Sequence, residues 1–449
     1  MLSRTVIKEV LDISIPAVAE ATVYTLMAML DTMIIGNYGG NKAVSAIGIS
    51  NEILNTCVAI FITVGVSIGI TSFVSRSIGA RDIRDAEEYA SLGFVIGLFV
   101  SIIICYSLFS FSEIILQIAG ARGSVLSLSN RYTRITIIAI FFNMQINIIN
   151  SILRGYGNTY TPFLVSLIVA AFKISLDLIL IFGIIGAKMG VEGSAVASVI
   201  SQAIGFTFLM FYLIYKSEVK IRLRYVLKLS SKKVKDLIFL VIPSSMEDAA
   251  FNLSRLLGTF IIMRAGTVSF AANQIANTVE SISFMPGMGF GTAVTTLVGI
   301  KIGEKNYREA KEYSCACALG AVAMMSVFSV VFLIIPNFLV DLFVDENEKK
   351  VVYLASLCLF IGAFEQPAIA LSSVFAGALK GSGDAKSPFI ISLVTSWIIR
   401  VPLIFYFIRI LKLSITYVWW VTVIQWTVDA ILMFIFFEKR LNNLNRLRK

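Results

Sequence analysis

The sequence predicts an all-α membrane protein with twelve transmembrane helices in two six-helix bundles, related by pseudo-twofold symmetry about the membrane normal. Hydrophobic residues make up 57% of the 449 residues and charged residues only 15%, whereas a soluble domain carries about 25% charged residues. The apolar residues are gathered into runs long enough for a membrane span, which takes roughly 20 residues. Motifs of the first half of the chain return in the second half, so both halves are predicted to share one plan.

One motif shows this duplication most clearly: LRGYGNTYTPF at 153–163 returns as LKGSGDAKSPF at 379–389, which is 226 residues later. Two further pairs keep the same order, IGARDIRDAEEY with IGEKNYREAKEY (78–89 and 302–313) and IPAVAE with IPSSME (15–20 and 242–247). Three ordered pairs at spacings of 224 to 227 residues indicate a duplicated unit.

The apolar runs, taken in chain order, are separated by short loops that contain Gly, Asn, Pro or charged residues. We predict the spans at 12–35, 44–75, 87–111, 131–153, 162–186, 191–215, 237–262, 268–299, 311–335, 351–378, 388–409 and 415–437. The longest connection, 216–236, is rich in Lys and Arg and lies between the two repeats. The predicted domains are therefore an N-terminal lobe at 1–215, a basic cytoplasmic linker at 216–236, and a C-terminal lobe with a basic tail at 237–449.

The distribution of Lys and Arg predicts the orientation in the membrane. With the N-terminus inside, the inner segments hold about 25 of these residues and the outer segments about 10, which places both termini in the cytoplasm of a multi-pass cell-membrane protein. An even number of spans in each half then makes the repeats parallel to each other.

Several classes of function are disfavoured by the composition. The net charge of +10 could suggest a nucleic-acid partner, but the cations lie in short loops between apolar runs, so we expect none. The chain has no His, no phosphate-binding G-x-x-x-x-G-K-[ST] motif and no nucleophile–base pattern, so we expect neither an enzyme nor a cofactor. All five Cys fall in apolar runs and are predicted to be free thiols.

Charged residues inside the predicted spans mark the candidate functional positions, because a charge at the centre of a bilayer costs roughly 2.5–3.5 kcal/mol. Glu20 and Asp31 share one face of the first span, since eleven residues return to within about 20° on a helix. Lys173 and Asp177 in the fifth span are spaced for a salt bridge. The other candidates for a substrate or coupling cavity are Asn143, Asn147, Glu247, Asp248, Arg255, Glu280 and Glu365.

Each of these positions also has a purely structural interpretation. Asn143, Asn147 and Asn150 form one polar stripe on the fourth span, which would also serve as interhelical hydrogen-bonding residues. Lys173 and Asp177 would also be a structural ion pair. In the eighth span, FMPGMGFG at 284–291 predicts either a hinge, because Pro286 removes a helix hydrogen bond, or close helix packing through the glycines.

Five motifs together resemble the multidrug and toxic compound extrusion (MATE) transporters of the bacterial NorM/DinF-like type. They are LDTMIIG (30–36), LRGYGNTYTP, LDLILIFG (176–183), GSAVAS (193–198) and the repeated LKGSGDAKSP. The resemblance covers nearly the whole chain. It implies two bundles around a central cleft that opens to alternate sides of the membrane, and export of cationic amphiphilic drugs in exchange for Na⁺ or H⁺.

The resemblance also implies roles for particular residues. Asp31 and Asp177 match the acids of the cation site in the N-terminal lobe, Ser198 stands where a sixth-helix hydroxyl is usual, and Glu247 looks like the seventh-helix acid of the C-terminal lobe. The family commonly has Asn where this chain has Lys173. We therefore predict that Lys173 pairs with these N-lobe acids and excludes Na⁺ there, and that any Na⁺ site lies near Glu247.

The sequence thus predicts a secondary antiporter that resides in the bilayer, acts on small cationic drugs, is a monomer, and uses H⁺ or Na⁺ as coupling ion. One alternative is a flippase for lipid-linked oligosaccharides, which would need inward cations such as Lys173, Arg255 and Arg400 to hold an anionic head group. A channel or a non-transporting scaffold is the other alternative.

Overall fold

The computed structural model describes residues 3–58, 61, 65–183, 188–222, 224–225, 231–343 and 348–448. Every regular element in these ranges is helical. The α-helices are α1 (Arg4–Val58), α2 (Ser67–Gly79), α3 (Ile83–Ile118), α4 (Gly123–Gly155), α5 (Tyr160–Phe182), α6 (Val191–Tyr215), α7 (Ser231–Met263), α8 (Thr267–Glu280), α9 (Phe284–Gly303), α10 (Tyr307–Ile334), α11 (Pro336–Asp341), α12 (Lys349–Gly362), α13 (Gln366–Gly381), α14 (Lys386–Val394), α15 (Val401–Phe405) and α16 (Thr416–Arg448). A 3₁₀ turn (Ser281–Ser283) and two π-helices (Thr395–Arg400 and Tyr406–Ile410) complete them.

The all-α membrane class is confirmed. Within the described residues, nine helical segments are long and apolar enough to cross a membrane, or ten if the bent pair α12 and α13 counts as one span. The predicted second span at 44–75 lies partly outside the described residues, and the predicted seventh span within α7 carries three charged residues, Glu247, Asp248 and Arg255. The count of twelve spans in two bundles stays a prediction.

The prediction of a loop between the first two spans is wrong. The structure has one continuous helix, α1, from Arg4 to Val58. The prediction placed a break at the Gly and Asn residues after Ile35, but a Gly inside a helix costs only about 1 kcal/mol relative to Ala. Such a cost weakens a helix without ending it.

The chain forms two compact units, and their boundaries fall inside α1 and α7. The N-unit is Ala19–Val241, and the C-unit is Met1–Val18 together with Ile242–Lys449. Packing explains why the start of α1 is grouped with the second half of the chain. Val6, Val10 and Val18 belong to the same buried core as Phe290 and Val294.

The N-unit has a mainly aliphatic core from the end of α1 and from α2 to α6, with Val241 of α7 packed against it. A Cβ added at Gly69 would lie 2.8 Å from a methyl of Val241, and one added at Gly205 would lie 2.4 Å from a methyl of Val169. The small residues of α2 and α6 therefore let neighbouring helices approach closely. The site described below lies in the same unit, on α1, α5 and α6.

In the C-unit, FMPGMGFG shows the close helix packing that was one of its two predicted roles, and the hinge stays a prediction. The 3₁₀ turn Ser281–Ser283 interrupts the span, and Pro286 lies in the first turn of α9. The glycines also pack, since a Cβ added at Gly377 of α13 would lie 2.2 Å from the carbonyl oxygen of Gly291 in α9. The segment is therefore a close helix contact, and the helix irregularity lies directly before it.

The duplicated LRGYGN and LKGSGD motifs form the same helix–turn–helix in both units. Gly157 and Gly383 adopt φ values of 94° and 85°, which an L-residue with a side chain rarely adopts. The next residue then caps the following helix. Asn158 Oδ1 accepts from the Thr161 N–H at 3.0 Å, and Asp384 Oδ1 accepts from the Ser387 N–H at 3.1 Å.

Candidate functional site

Lys173 of α5 is the centre of a buried polar cluster in the N-unit. Its Nζ donates to Asp31 Oδ1 on α1 at 2.6 Å, to Asp177 Oδ2 one turn along α5, and to Ser194 Oγ on α6 at 3.0 Å. Ser194 Oγ in turn donates to Asp31 Oδ1 at 2.9 Å. The predicted contact between Lys173 and both acids is therefore present, and three helices meet at one ammonium group.

Burial makes the charge balance of this cluster important. The side chains of Lys173 and Asp177 are 5% and 1% exposed, and that of Asp31 is 12% exposed. One ammonium and two carboxylates leave a net charge of −1. Asp177 Oδ1 is buried and has no hydrogen-bond partner within the described part of the chain. A buried acceptor without a donor is costly, so this oxygen is a place where a proton could bind.

The hydroxyl that completes the cluster is Ser194, which the sequence prediction missed. Ser198, the predicted hydroxyl, lies one turn further along α6 and donates to the Ser194 carbonyl oxygen at 3.0 Å. Both serines belong to the motif GSAVAS, so the sequence marked the correct segment of α6. Which serine faces Lys173 depends on the rotation of α6 against α5, and sequence spacing alone does not determine that rotation.

A second group of polar contacts in the N-unit involves Glu20, away from Lys173. Glu20 Oε1 accepts from Arg154 at 2.6 Å and from Asn150 Nδ2 at 3.1 Å. Asn147 Nδ2 bonds to Asn143 Oδ1 at 3.1 Å within α4. The three Asn residues of the polar stripe of α4 therefore make separate contacts. Asn150 hydrogen-bonds to Glu20, and Asn147 hydrogen-bonds to Asn143.

The C-unit contains the matching ion pair. Lys380 Nζ donates to Glu247 Oε1 at 2.9 Å, and these two residues stand at the repeat positions of Arg154 and Glu20. The neighbouring Asp248 accepts from Asn252 Nδ2 at 3.0 Å within α7. Glu247 thus has the contact that its counterpart in the N-unit has, which is evidence for a structural role beside the predicted coupling role.

Glu280 and Glu365 come together in the C-unit, at the ends of broken helices. Both are buried and lie within electrostatic reach of Arg400; Arg255 also acts on Glu280. Gln366 Nε2 donates to Glu280 Oε1 at 3.1 Å. The structure therefore divides the predicted cavity residues into separate groups: one around Lys173, one around Glu20, one around Glu247 and one around Glu280.

The Lys173 cluster has the chemistry of a proton or cation site rather than that of a catalytic centre. It provides acids on two helices and a fixed internal cation, with no nucleophile–base pair among its members. A sequence model of the family MatE matches residues 16–179 and, 227 residues later, residues 243–406. The chain belongs to the MatE family. The two matches also confirm the duplication, with a spacing equal to that of the IPAVAE and IPSSME motifs.

Named relatives of this MatE chain cover almost all of it. A Thermotoga maritima protein named “Probable multidrug resistance protein NorM” is 28% identical over 421 residues, which cover 92% of this chain and 88% of the relative. The “Uncharacterized transporter YisQ” of Bacillus subtilis is 24% identical over 420 residues, 93% of this chain and 91% of the relative. One of these relatives is named a multidrug resistance protein and the other a transporter.

Solved structures show that the MatE chain has the fold of MATE transporters. “Outward-facing conformation of a multidrug resistance MATE family transporter of the MOP superfamily” matches with a TM-score of 0.91 and 21% identity, over 99% of both chains. “Crystal structure of MATE in complex with MaL6” matches with a TM-score of 0.90 and 22% identity, over 98% of this chain and 97% of the other.

Proposed function

We propose that this MatE protein is a secondary antiporter that exports cationic amphiphilic compounds in exchange for H⁺ by alternating access. The observation that carries the proposal is the buried contact of Lys173 with both Asp31 and Asp177. The cluster has one negative charge left over, which a proton or a cationic substrate would neutralise. Two cations that compete for one buried charge are the simplest basis for exchange.

The same contact favours H⁺ over Na⁺ as the coupling ion in the N-unit. A Na⁺ about 4 Å from the Lys173 ammonium would be repelled by about 4 kcal/mol at an effective dielectric constant of 20. A proton on Asp177 Oδ1 forms a covalent O–H bond and satisfies an acceptor that lacks a donor. We keep Na⁺ binding near Glu247 as part of the proposal for the C-unit only, where Lys380 already occupies one carboxylate oxygen.

The membrane arrangement that we propose is the predicted one, with twelve spans and both termini in the cytoplasm. The lipid-linked oligosaccharide flippase is not favoured, because relatives that match along most of the chain are named as multidrug resistance proteins. In addition, Lys173, one of the cations that a flippase would present to an anionic head group, is neutralised by two carboxylates.

The test is efflux of a cationic fluorescent dye from proteoliposomes under an imposed H⁺ gradient or an imposed Na⁺ gradient. Wild type should export dye under the H⁺ gradient. The dye efflux of Asp31→Asn should be at least tenfold lower than that of wild type at equal reconstitution. Its unfolding temperature should stay within a few degrees of wild type, because the change keeps the size and hydrogen bonding of the side chain. Asp341→Asn, a change in the short helix α11, is the matched control and should export like wild type. Wild-type efflux by Asp31→Asn, or efflux that needs neither gradient, would contradict the proposal.

A further inference from the structure

Arg255 and Arg400 of the C-unit take no part in the proposed mechanism, and they carry one further inference. Three other cations of the helices each contact a carboxylate, Lys173 and Arg154 at 2.6 Å and Lys380 at 2.9 Å. Arg255 and Arg400 form no salt bridge within the part of the chain that the structure describes. Both lie in predicted membrane spans, where an unpaired charge is costly. This pair of cations therefore lacks an anion.

Contacts between α7 and the segment around Arg400 place the two arginines on facing surfaces. The guanidinium carbon of Arg400 lies 5.8 Å from the centroid of the Phe251 ring on α7. Further along α7, a Cβ added at Gly258 would lie 3.5 Å from Cδ1 of Ile404. Residues three and four apart share one face of a helix, so Arg255 lies between these two contacts on the same face.

One donor of Arg400 has no acceptor. Its Nε is buried and has no hydrogen-bond partner among the described residues. A guanidinium group has N–H donors only and keeps its charge, so it needs acceptor oxygens around it. An unsatisfied buried group of this kind indicates a missing partner. Arg400 is half-buried and Arg255 is exposed, so a partner would enter from the side of Arg255.

The two nearby acids do not supply these oxygens. Glu280 and Glu365 lie within electrostatic reach of Arg400, but neither forms a salt bridge with an arginine in the described ranges. Glu280 Oε1 instead accepts from Gln366 Nε2 at 3.1 Å. The acids therefore offset positive charge at a distance and leave the guanidinium donors unfilled.

Aromatic side chains beside the arginines indicate the rest of the ligand. The Phe251 ring lies 5.4 Å from the Trp426 ring, centroid to centroid, and both side chains are half-buried. A guanidinium group over an aromatic ring keeps its N–H edges free for an oxyanion. An anionic head group and an apolar body would thus find matching surfaces next to each other.

From this geometry we propose that Arg255 and Arg400 form a binding site for the phosphate or carboxylate group of an anionic amphiphile, with Phe251 and Trp426 against its apolar part. Arginine binds both oxyanions through paired hydrogen bonds. A phospholipid and a dissolved amphiphile carry the same group, and basic pockets between membrane helices bind lipid head groups. The site is independent of the proposed antiport, and binding there does not require that the ligand cross the membrane.

The test is binding of monododecyl phosphate to the purified protein in dodecyl maltoside micelles, by titration calorimetry with empty micelles subtracted. Wild type should bind the probe saturably, and Arg255→Gln should bind it at least tenfold more weakly. Arg255 is exposed, so this change should leave the fold intact. Arg409→Gln is the matched control, because Arg409 is an exposed Arg of the other π-helix, and it should bind like wild type. No saturable binding in wild type, or equal binding in Arg255→Gln, would overturn the proposal.

A cationic probe separates an anion site from a general effect on the protein. Dodecyltrimethylammonium has the same chain with the opposite charge, so it should bind equally to wild type, Arg255→Gln and Arg400→Gln. Arg400→Gln should weaken the binding of monododecyl phosphate as Arg255→Gln does. Equal losses for both probes would overturn the proposal, because the changes would then act on the whole fold.

Competition identifies the source of the oxyanion. If the natural ligand is a lipid, phosphatidylglycerol added to the micelles should displace monododecyl phosphate from wild type. If the ligand is a dissolved amphiphile, octanoate should displace the probe and phosphatidylglycerol should not. Displacement by neither would contradict a site for an anionic amphiphile.

Discussion

Lys173 determines the chemistry of the cation site that we propose. An Asn at this position would offer an amide oxygen to a metal ion, whereas a Lys offers three donors and no acceptor. In the structure those donors reach Asp31, Asp177 and Ser194. The ammonium group thus contacts both acids of the proposed site, and the single negative charge that remains matches the charge of one proton.

Glu247 and Lys380 provide a residue-scale prediction, because their pair repeats that of Glu20 and Arg154. If the pair is structural, Glu247→Lys alone should sharply lower the yield of folded protein, since it leaves two buried like charges, and adding Lys380→Glu should restore yield and transport. The measurement is the amount of monodisperse protein and the dye efflux of each variant.

If Glu247 instead exchanges an ion, Glu247→Lys with Lys380→Glu should fold, but its dye efflux should no longer depend on the ion gradient. A matched comparison comes from Glu20→Arg with Arg154→Glu, the same exchange in the N-unit. Recovery of folding and of transport in both double variants would show that these pairs position α1 and α7 relative to α4 and α13.

At the scale of helices, the two repeats have equivalent caps at the starts of α3 and α10. Asp82 Oδ1 accepts from the Asp85 N–H at 2.9 Å at the start of α3, and Asn306 Oδ1 accepts from the Glu309 N–H at 3.2 Å at the start of α10. The residues before them, Arg81 and Lys305, have φ values of 59° and 58°. The two repeats therefore use the same turn, although neither has Gly at the left-handed position.

These caps lead to a stability prediction. Asp82→Ala and Asn306→Ala should each lower the free energy of unfolding by about 1 kcal/mol, because each leaves a helix N–H without its acceptor. The control is Arg84→Ala, since Arg84 is 78% exposed and its pair with Glu88 should add little. Equilibrium unfolding in mixed micelles measures all three, and equal effects of Asp82→Ala and Arg84→Ala would contradict the assignment.

The beginning of α7 is joined to α3 through Lys233, which pairs with Asp85 and Glu88. Burial lowers the pKa of Lys233, but its hydrogen bonds to Asp85 and Glu88 outweigh this, so the pKa lies above its ordinary value of 10.5. Lys233 also lies 4.9 Å from the centroid of the Tyr89 ring. These contacts explain why the described end of the predicted linker belongs to the N-unit.

For the whole molecule, the sequence was most informative where a pattern repeats or a composition is extreme. Hydropathy located most of the helices, and the duplicated motifs predicted two halves with one plan, which the equivalent turns at Gly157 and Gly383 share. Boundaries of the compact units could not be read this way, because Val6, Val10 and Val18 are apolar like any span, and only tertiary contacts show which core they join.

The candidate sites could likewise be predicted only where residues of one helix contact each other. The spacing of Lys173 and Asp177 predicts their pairing, since four residues make one helical turn. Ser194 and Gln366 were missed because their roles depend on which face each helix presents to its neighbours. Four of the five predicted free thiols are described and unpaired, namely Cys105, Cys315, Cys317 and Cys358, and the side chain of Cys57 lies outside the described residues.

The central claim, that Lys173 makes the N-unit a proton site closed to Na⁺, is tested most directly by the thermal unfolding of purified protein as NaCl replaces choline chloride. Any Na⁺-specific rise in the unfolding temperature of wild type should persist in Asp31→Asn, because it would come from the C-unit, and Lys216→Asn, which removes an exposed Lys, should behave like wild type. Lys173→Asn should show a saturable rise with Na⁺, because removing the ammonium leaves two carboxylates and an amide oxygen. A Na⁺-specific rise in wild type that Asp31→Asn abolishes would contradict the claim.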